Sequence, residues 1–302
     1  MGIFSNRNMI FPEYVGEFSL SITEAMRIQL MAALTQLVEV PLTPENISMI
    51  ERRPGIYQLF LDGKSVYIGK ADDNLYARVG QHFNKVSGRW DVDGGPQSVR
   101  LIDRMGFRCM YINEDIDSLG PEKMLIQQFR QSDEASWNNN GFGNKDPGKE
   151  RDTSAVKWLH FDRQYQMDLT LLIQPDNRRT LRSVYLVDTL LEAMGVLKTA
   201  LPFVFRFGTT VADRNELASI EVDDREVAGV TRPVHEWLDW LADRLPEGWK
   251  IVALPGYVIA YKNPELERYR SRMFIWHARG GGHDYEVNPD PEWASGAVPE
   301  ET

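Results

Sequence analysis

"PGIYQLFLDGKSVYIGKA" occupies residues 54–71. Two runs rich in β-branched and aromatic residues flank Asp62-Gly63, which predicts a hairpin with strands over roughly 55–61 and 65–69. Each run carries one tyrosine inside a near-mirrored tripeptide, Gly55-Ile56-Tyr57 and Tyr67-Ile68-Gly69. Strand side chains alternate with period two, and directly paired residues share a face. A two-residue Asp62-Gly63 loop would pair Tyr57 with Ile68 and send the phenols to opposite faces. A three-residue loop, Asp62-Gly63-Lys64, would pair Leu59 with Tyr67 and Tyr57 with Gly69, and both rings would then face one side. A shared site for the two tyrosines therefore requires an odd loop or a bulge, against the usual preference for a two-residue Asp-Gly turn.

Outward from the hairpin, Ser21-Ile22-Thr23-Glu24 has capping-box spacing and opens an apolar-periodic run, so a helix is expected over 22–38. Residues 73–84 read as a helix despite Gly80, residues 85–97 as a polar loop holding Trp90, and 98–105 as a short helix. A strand is expected at 107–113, a helix from Pro121 to about 130, and a long polar loop over 131–153. Beyond this the texture changes. Strands are expected at 165–174 and 202–207, and helices at 180–198 and 233–245. A strand pair is expected at 249–255 and 257–262, with another strand at 273–278. The chain is thus expected to be α+β: a first unit over 1–160, a second α/β unit of unrecognised type over 161–285, and an acidic tail, mobile from about Gly280 and disordered over 286–302.

The bulk numbers exclude several classes. Of 302 residues, 42% are hydrophobic and 26% charged, which suits a chain able to bury a core. One cysteine, Cys109, allows no intrachain disulfide and no Cys-rich zinc site, and fits a reducing compartment such as the cytoplasm. No run approaches the ~20 apolar residues of a membrane span. The net charge is −10, divided as −3 over residues 1–165 and −7 over 166–302. A wholly basic nucleic-acid binder is excluded. A local basic groove is not, because affinity depends on which charges meet phosphate.

Tyr57, Tyr67, Lys70, Arg78, His82, Glu122 and Asn138 all fall in or beside the first unit. Arg78 and His82 lie four apart and share one helix face. Glu122 opens a helix, where a carboxylate is tolerated and can point outward. Phenol, cation, imidazole and one carboxylate converging on a point would suit phosphodiester hydrolysis. The carboxylate would hold a divalent metal, metal and guanidinium would absorb transition-state charge, and a phenol or imidazole would deprotonate water.

The segments "PGIYQLF", "VYIGKA", "LYARVGQHF", "LGPEKMLIQQF" and "SWN" occur in the order found in the GIY-YIG nuclease superfamily, which residues 54–140 resemble. "WNNNGFGNKDPGKERD" further resembles the superfamily's type II restriction endonuclease branch. The resemblance implies a small central β-sheet flanked by helices and a DNA endonuclease leaving a 5′-phosphate and a 3′-hydroxyl. It implies Tyr57 as the general base or water-orienting group, with Tyr67 hydrogen-bonding beside it. Arg78 would bind the scissile phosphate, and His82 would take the proton from Tyr57. Glu122 would be the sole protein ligand to Mg²⁺ or Mn²⁺. Asn138 would position phosphate or Glu122, with Asn139 and Asn140 as alternatives, and Lys70 would be a further phosphate contact. A phenol titrates near 10, so Tyr57 would need Arg78 or the metal to lower it. Gly69, lacking a side chain, would leave room for a phosphate near the ring.

Each of these residues alone has an ordinary reading: a packed strand tyrosine, a solvated helix face, a carboxylate complementing a helix N-terminus. Asn144, Lys145 and Lys149 lie in a long polar loop that is either a surface turn or a DNA contact. Arg89, Trp90 and Arg100 bracket the other loop, where Arg and an aromatic could read or stack on bases; equally, Trp90 could cover the edge of the core. His160 reads as structural. Trp237 and Trp240 on one amphipathic helix suggest a protein interface for the second unit. Expected partners are double-stranded DNA, a second copy of the chain on a palindromic site, and a protein partner through the C-terminal unit, with no membrane. The rival functions are a structure-specific repair or recombination nuclease and a non-catalytic DNA-binding module on the same fold.

Overall fold

A computed structural model describes residues 22–92, 100–112, 136–138, 140–142, 156–157, 159–175, 187–208, 210–262, 270–288 and 293–294. The architecture is α+β. The first unit opens with α1 (Ile22–Thr35), β1 (Val40–Pro41) and α2 (Pro44–Ser48). The hairpin follows as β2 (Gly55–Leu61) and β3 (Lys64–Ala71), then α3 (Leu75–Ser87), β4 (Arg89–Asp91) and β5 (Met105–Tyr111). A four-stranded sheet has the order β1-β5-β2-β3, so β3 is an edge and β2 is central.

The hairpin resolves the question of its tyrosines. Asp62 and Gly63 have φ of 50° and 73°, the positive pair of a two-residue type I′ turn, with Leu61 opposite Lys64. One step on, the register shifts: Phe60 pairs with Ser65, but Leu59 pairs with Tyr67. Val66 is the extra residue of this β-bulge. The bulge, not a longer loop, returns both tyrosines to one face, with Tyr57 opposite Gly69.

The two sheet faces carry different layers. On the tyrosine face, α3 packs Leu75, Val79 and Val86 against Tyr57, Leu59 and Tyr67. These helix positions follow the i, i+4, i+11 spacing of one face, and Asn74 caps the helix by accepting from the Ala77 N–H at 2.9 Å. On the opposite face, Ile56 and Ile68 meet Leu30 and Met31 of α1.

Short elements join the units: β6 (Val156–Lys157), α4 (Phe161–Gln164), β7 (Tyr165–Met167) and β8 (Leu172–Ile173). The expected strand over 165–174 is divided, because Asp168 turns the chain by accepting from the Thr170 N–H and hydroxyl. β7 pairs with β4, a strand where a loop was expected, and β8 pairs with β10 (Arg232–Pro233). Phe161 and Tyr165 belong to the first core and Met167 to the second, so the change of core falls beyond the expected 160/161 boundary.

The second unit contains α5 (Leu190–Ala200), β9 (Val204–Phe207), α6 (Val211–Ala218), α7 (Val234–Arg244), β11 (Trp249–Leu254), β12 (Tyr257–Lys262), β13 (Phe274–Ala278) and β14 (His283–Val287). Its sheet has the order β14-β13-β11-β12-β9. α5 starts at Leu190, at a capping box formed by Thr189 and Glu192, and residues 180–186 of the expected helix lie outside the described residues. β14 corrects the expected mobile stretch after Gly280: it pairs with β13 from Phe274 to Ala278. β15 (Trp293–Ala294) pairs in parallel with β6, inside the span expected to be a disordered tail. Trp237 and Trp240 are buried in this unit's core, which removes the basis for reading them as a protein interface. No helix among the described residues is long and apolar enough to cross a membrane.

Candidate active site

β2, β3 and α3 bring Tyr57, Tyr67, Arg78 and His82 together. The Tyr57 hydroxyl lies 2.7 Å from His82 Nε2 and accepts from Arg78 Nε–H at 3.2 Å. The phenol oxygen has two lone pairs, so it can donate to an unprotonated Nε2 or accept from a protonated one, and the imidazole tautomer decides which. The Tyr67 ring centroid is 6.0 Å from that of Tyr57 and 5.2 Å from that of His82. Arg78 is half-buried and also donates to Gln81 Oε1 at 3.2 Å. Among the described residues no carboxylate forms an ion pair with Arg78.

Burial sets the electrostatics. Tyr57, Tyr67 and His82 are 0%, 5% and 4% exposed. Desolvation pushes the Tyr57 phenol far above 10, helped by the neighbouring Tyr67 hydroxyl; Arg78 pulls the other way and is outweighed. Arg78 does lower this phenol, as expected, but by less than burial raises it, so at neutral pH Tyr57 keeps its proton. Desolvation, with Arg78 and Lys85 adding to it, holds His82 well below 6.5 and hence neutral.

The His82 shift has a sign. As pH falls through 6.5, His82 gains a proton in the unfolded chain but not in the folded one. Stability present above that pH is therefore lost on acidification, by at most about 1.4 kcal/mol per pH unit. Urea midpoints followed from pH 7 to 5 should fall more steeply for the wild type than for His82→Gln. Equal slopes would contradict a neutral buried imidazole.

Gly69 has a different task from the one its sequence position suggested. A Cβ there would lie 2.2 Å from the Tyr57 hydroxyl oxygen. The space is filled by the phenol of Tyr57 itself and not kept for phosphate. Asn138 also differs from expectation. It ends a short 3₁₀ turn (Ser136–Asn138), and its carboxamide grips the outer edge of β3. Oδ1 accepts from the Ile68 N–H at 3.0 Å, and Nδ2 donates to the Ile68 carbonyl at 2.7 Å. The amide thus imitates a neighbouring strand, satisfying the two edge groups between Tyr67 and Gly69.

Other expected contacts lie elsewhere. Lys70 is opposite Ile56, on the α1 side of the sheet, and its ammonium is 2.8 Å from Asp72; strand alternation keeps it from the Tyr57 face. Arg89 is 3% exposed and paired with Asp162 at 2.9 Å, which corrects its reading as a DNA contact. Trp90 lies in the short strand β4 opposite Gln166. Arg100 is exposed and pairs with Asp103 at 3.2 Å. His160 is structural as expected, capping α4 through Nδ1. Glu122, Asn139, Asn144, Lys145 and Lys149 lie outside the described residues. Among the described residues no group of three or more His, Cys, Asp or Glu could hold a metal ion.

Three residues of the site escaped the sequence reading. Gln81 and Lys85 sit three and seven positions after Arg78, on the same face of α3, a spacing that could have found them. Phe142 stacks on His82 at 4.8 Å and meets Tyr67 edge-on at 5.0 Å. Lys85 donates to its carbonyl at 2.6 Å. Phe142→Ala would open a cavity beside both rings and is expected to destabilise the protein by about 3–5 kcal/mol. A denaturant midpoint within error of wild type would show that Phe142 does not close this core.

No protein-family model matches the chain, and no curated protein matches it.

Proposed function

We propose that the chain is a divalent-metal-dependent DNA endonuclease of GIY-YIG type, acting in restriction or another defence against foreign DNA. The observation that carries this reading is the Arg78–Tyr57–His82 relay: a cation free of any described carboxylate, a phenol and a neutral imidazole joined by two hydrogen bonds. Arg78 binds the scissile phosphate and stabilises the charge that develops on it. Tyr57 orients the attacking water and passes its proton to His82 Nε2. Tyr67 holds the neighbouring face.

The described residues alone do not form a metal-holding set, and the sequence offers Glu122 as the ligand for Mg²⁺ or Mn²⁺. Such a cation, when bound, supplies positive charge that lowers the Tyr57 phenol and polarises the phosphate. The buried phenol gives this a physical motive, since Arg78 does not overcome the desolvation of Tyr57 by itself. Gln81 presents the exposed edge of the site and helps orient Arg78.

The test is incubation of the purified protein with plasmid, branched DNA and differently modified genomic DNA, with Mg²⁺ or with EDTA. Discrete fragments with 5′-phosphate ends support the proposal. Cuts confined to junctions would make it a repair nuclease, and retention of DNA without cutting would make it a binding module.

A further inference from the structure

We infer that Arg89 is a positioning residue through which the C-terminal unit holds α3, and with it Arg78 and His82, in register with Tyr57. The inference rests on the nuclease reading for its kinetic consequence and on geometry for the rest.

Arg89 follows the last turn of α3 by two residues. Its Nε–H donates back to the Lys85 carbonyl at 3.2 Å, closing the C-terminal end of the helix. The rest of its guanidinium fork faces the other unit. Nη1 donates to the Tyr165 carbonyl at 2.7 Å and reaches that of Pro255 at 3.5 Å. Nη2 donates to the Gly256 carbonyl at 3.2 Å. Residues 255 and 256 form the tight turn between β11 and β12, central strands of the C-terminal sheet.

The junction is built around this group. Asp162 supplies the counter-charge at 2.9 Å and is itself buried. A Cβ at Gly256 would lie 2.4 Å from the Asp162 carboxyl carbon, so the turn approaches as closely as a backbone can. The Met167 N–H donates to the same Pro255 carbonyl at 3.0 Å, and the Asp168 N–H to the Gly88 carbonyl at 2.9 Å. Removing a guanidinium from water is costly unless every donor finds a partner. Here those partners come from α3, from the connecting strand and from the C-terminal turn. A planar five-donor fork is what can serve all three directions, and an ammonium cannot. His82 lies seven residues before Arg89, about two helical turns. A shift at the anchored end therefore moves His82 and Arg78 against Tyr57, which is fixed in the sheet.

The experiment uses the full chain without divalent ions for its first readout. The proton shared between the Tyr57 hydroxyl and His82 Nε2, buried in a 2.7 Å hydrogen bond, should give a slowly exchanging downfield resonance. Arg89→Lys keeps the charge and loses the fork. The double variant Arg89→Met with Asp162→Leu removes both buried charges, so no unpaired carboxylate is left to unfold the protein. Leu241→Ala, in the C-terminal core away from the junction, serves as a control matched by its loss in Tm. Both junction variants should shift or broaden the resonance, and the control should not. In DNA cleavage with Mg²⁺, kcat should fall on the order of 100-fold in the junction variants with KM little changed.

An unmoved resonance with wild-type turnover in the folded junction variants would overturn the inference. So would a control that behaves as they do. If the wild type cuts no DNA while the resonance still moves only in the junction variants, the nuclease reading fails and the positioning of α3 stands.

Discussion

Tyr57→Phe is expected to lower cleavage by about 10²- to 10⁴-fold at saturating DNA, the range for removing a proton-transferring group. The ring remains in place, because it is packed among Tyr67, His82 and the β3 backbone at Gly69. What disappears is one oxygen that accepts from Arg78 and faces His82 Nε2. Both groups lose a buried partner, so a stability loss of about 1–3 kcal/mol should accompany the loss of activity. DNA affinity should persist, since Arg78 keeps its charge and its bond to Gln81. Turnover equal to wild type would remove Tyr57 from the reaction.

Gly69→Ala is the second large effect, and it follows from geometry alone. The new methyl would stand 2.2 Å from the Tyr57 hydroxyl oxygen and 2.4 Å from Cζ, so the phenol must move. His82 and Tyr67 already stand on its flanks, at ring-centroid distances of 5.3 and 6.0 Å. Overpacking of this kind costs about 1–3 kcal/mol, and the displaced hydroxyl loses both His82 and Arg78. Cleavage should fall to about the level of Tyr57→Phe. The two changes act on one oxygen, so combining them should cost little more activity than either alone. Additive losses would mean that Gly69 serves something other than the phenol.

The hairpin was the most legible part of the chain. Asp62-Gly63 announced its turn, and the demand for a shared tyrosine face required a register change, which Val66 supplies as a bulge. Arg78 and His82 were readable from helical spacing because α3 is amphipathic and capped by Asn74. The task of Gly69 was not readable, since a missing side chain looks the same whether it admits a ligand or a neighbouring ring. Arg89 beside Trp90 looked like a base-reading pair because the carbonyls it satisfies at 255 and 256 are distant in sequence. Trp237 and Trp240 marked a helix correctly, but periodicity does not say that both indoles are covered: Trp240 turns inward and donates to Glu226 at 3.0 Å. Asn138 was expected to position phosphate or Glu122, yet its carboxamide serves an edge strand, a partner that no local pattern names.

The α3–hairpin arrangement also explains why a chain of net charge −10 can be proposed to act on DNA. The charge that matters is Arg78, half-buried with no described carboxylate paired to it, where a low-dielectric wall strengthens its pull on phosphate. Electrostatic attraction from the rest of the surface is expected to be modest and to weaken further as salt rises.

The most direct measurement of the central claim is cleavage of supercoiled plasmid and of modified genomic DNA by the purified full chain, with Mg²⁺ and with EDTA, beside Tyr57→Phe. The account predicts nicked or linear products carrying 5′-phosphates with Mg²⁺, none with EDTA, and a loss of at least about 100-fold in the variant. Intact DNA under every condition, or cutting that neither EDTA nor the loss of the Tyr57 hydroxyl diminishes, would contradict it.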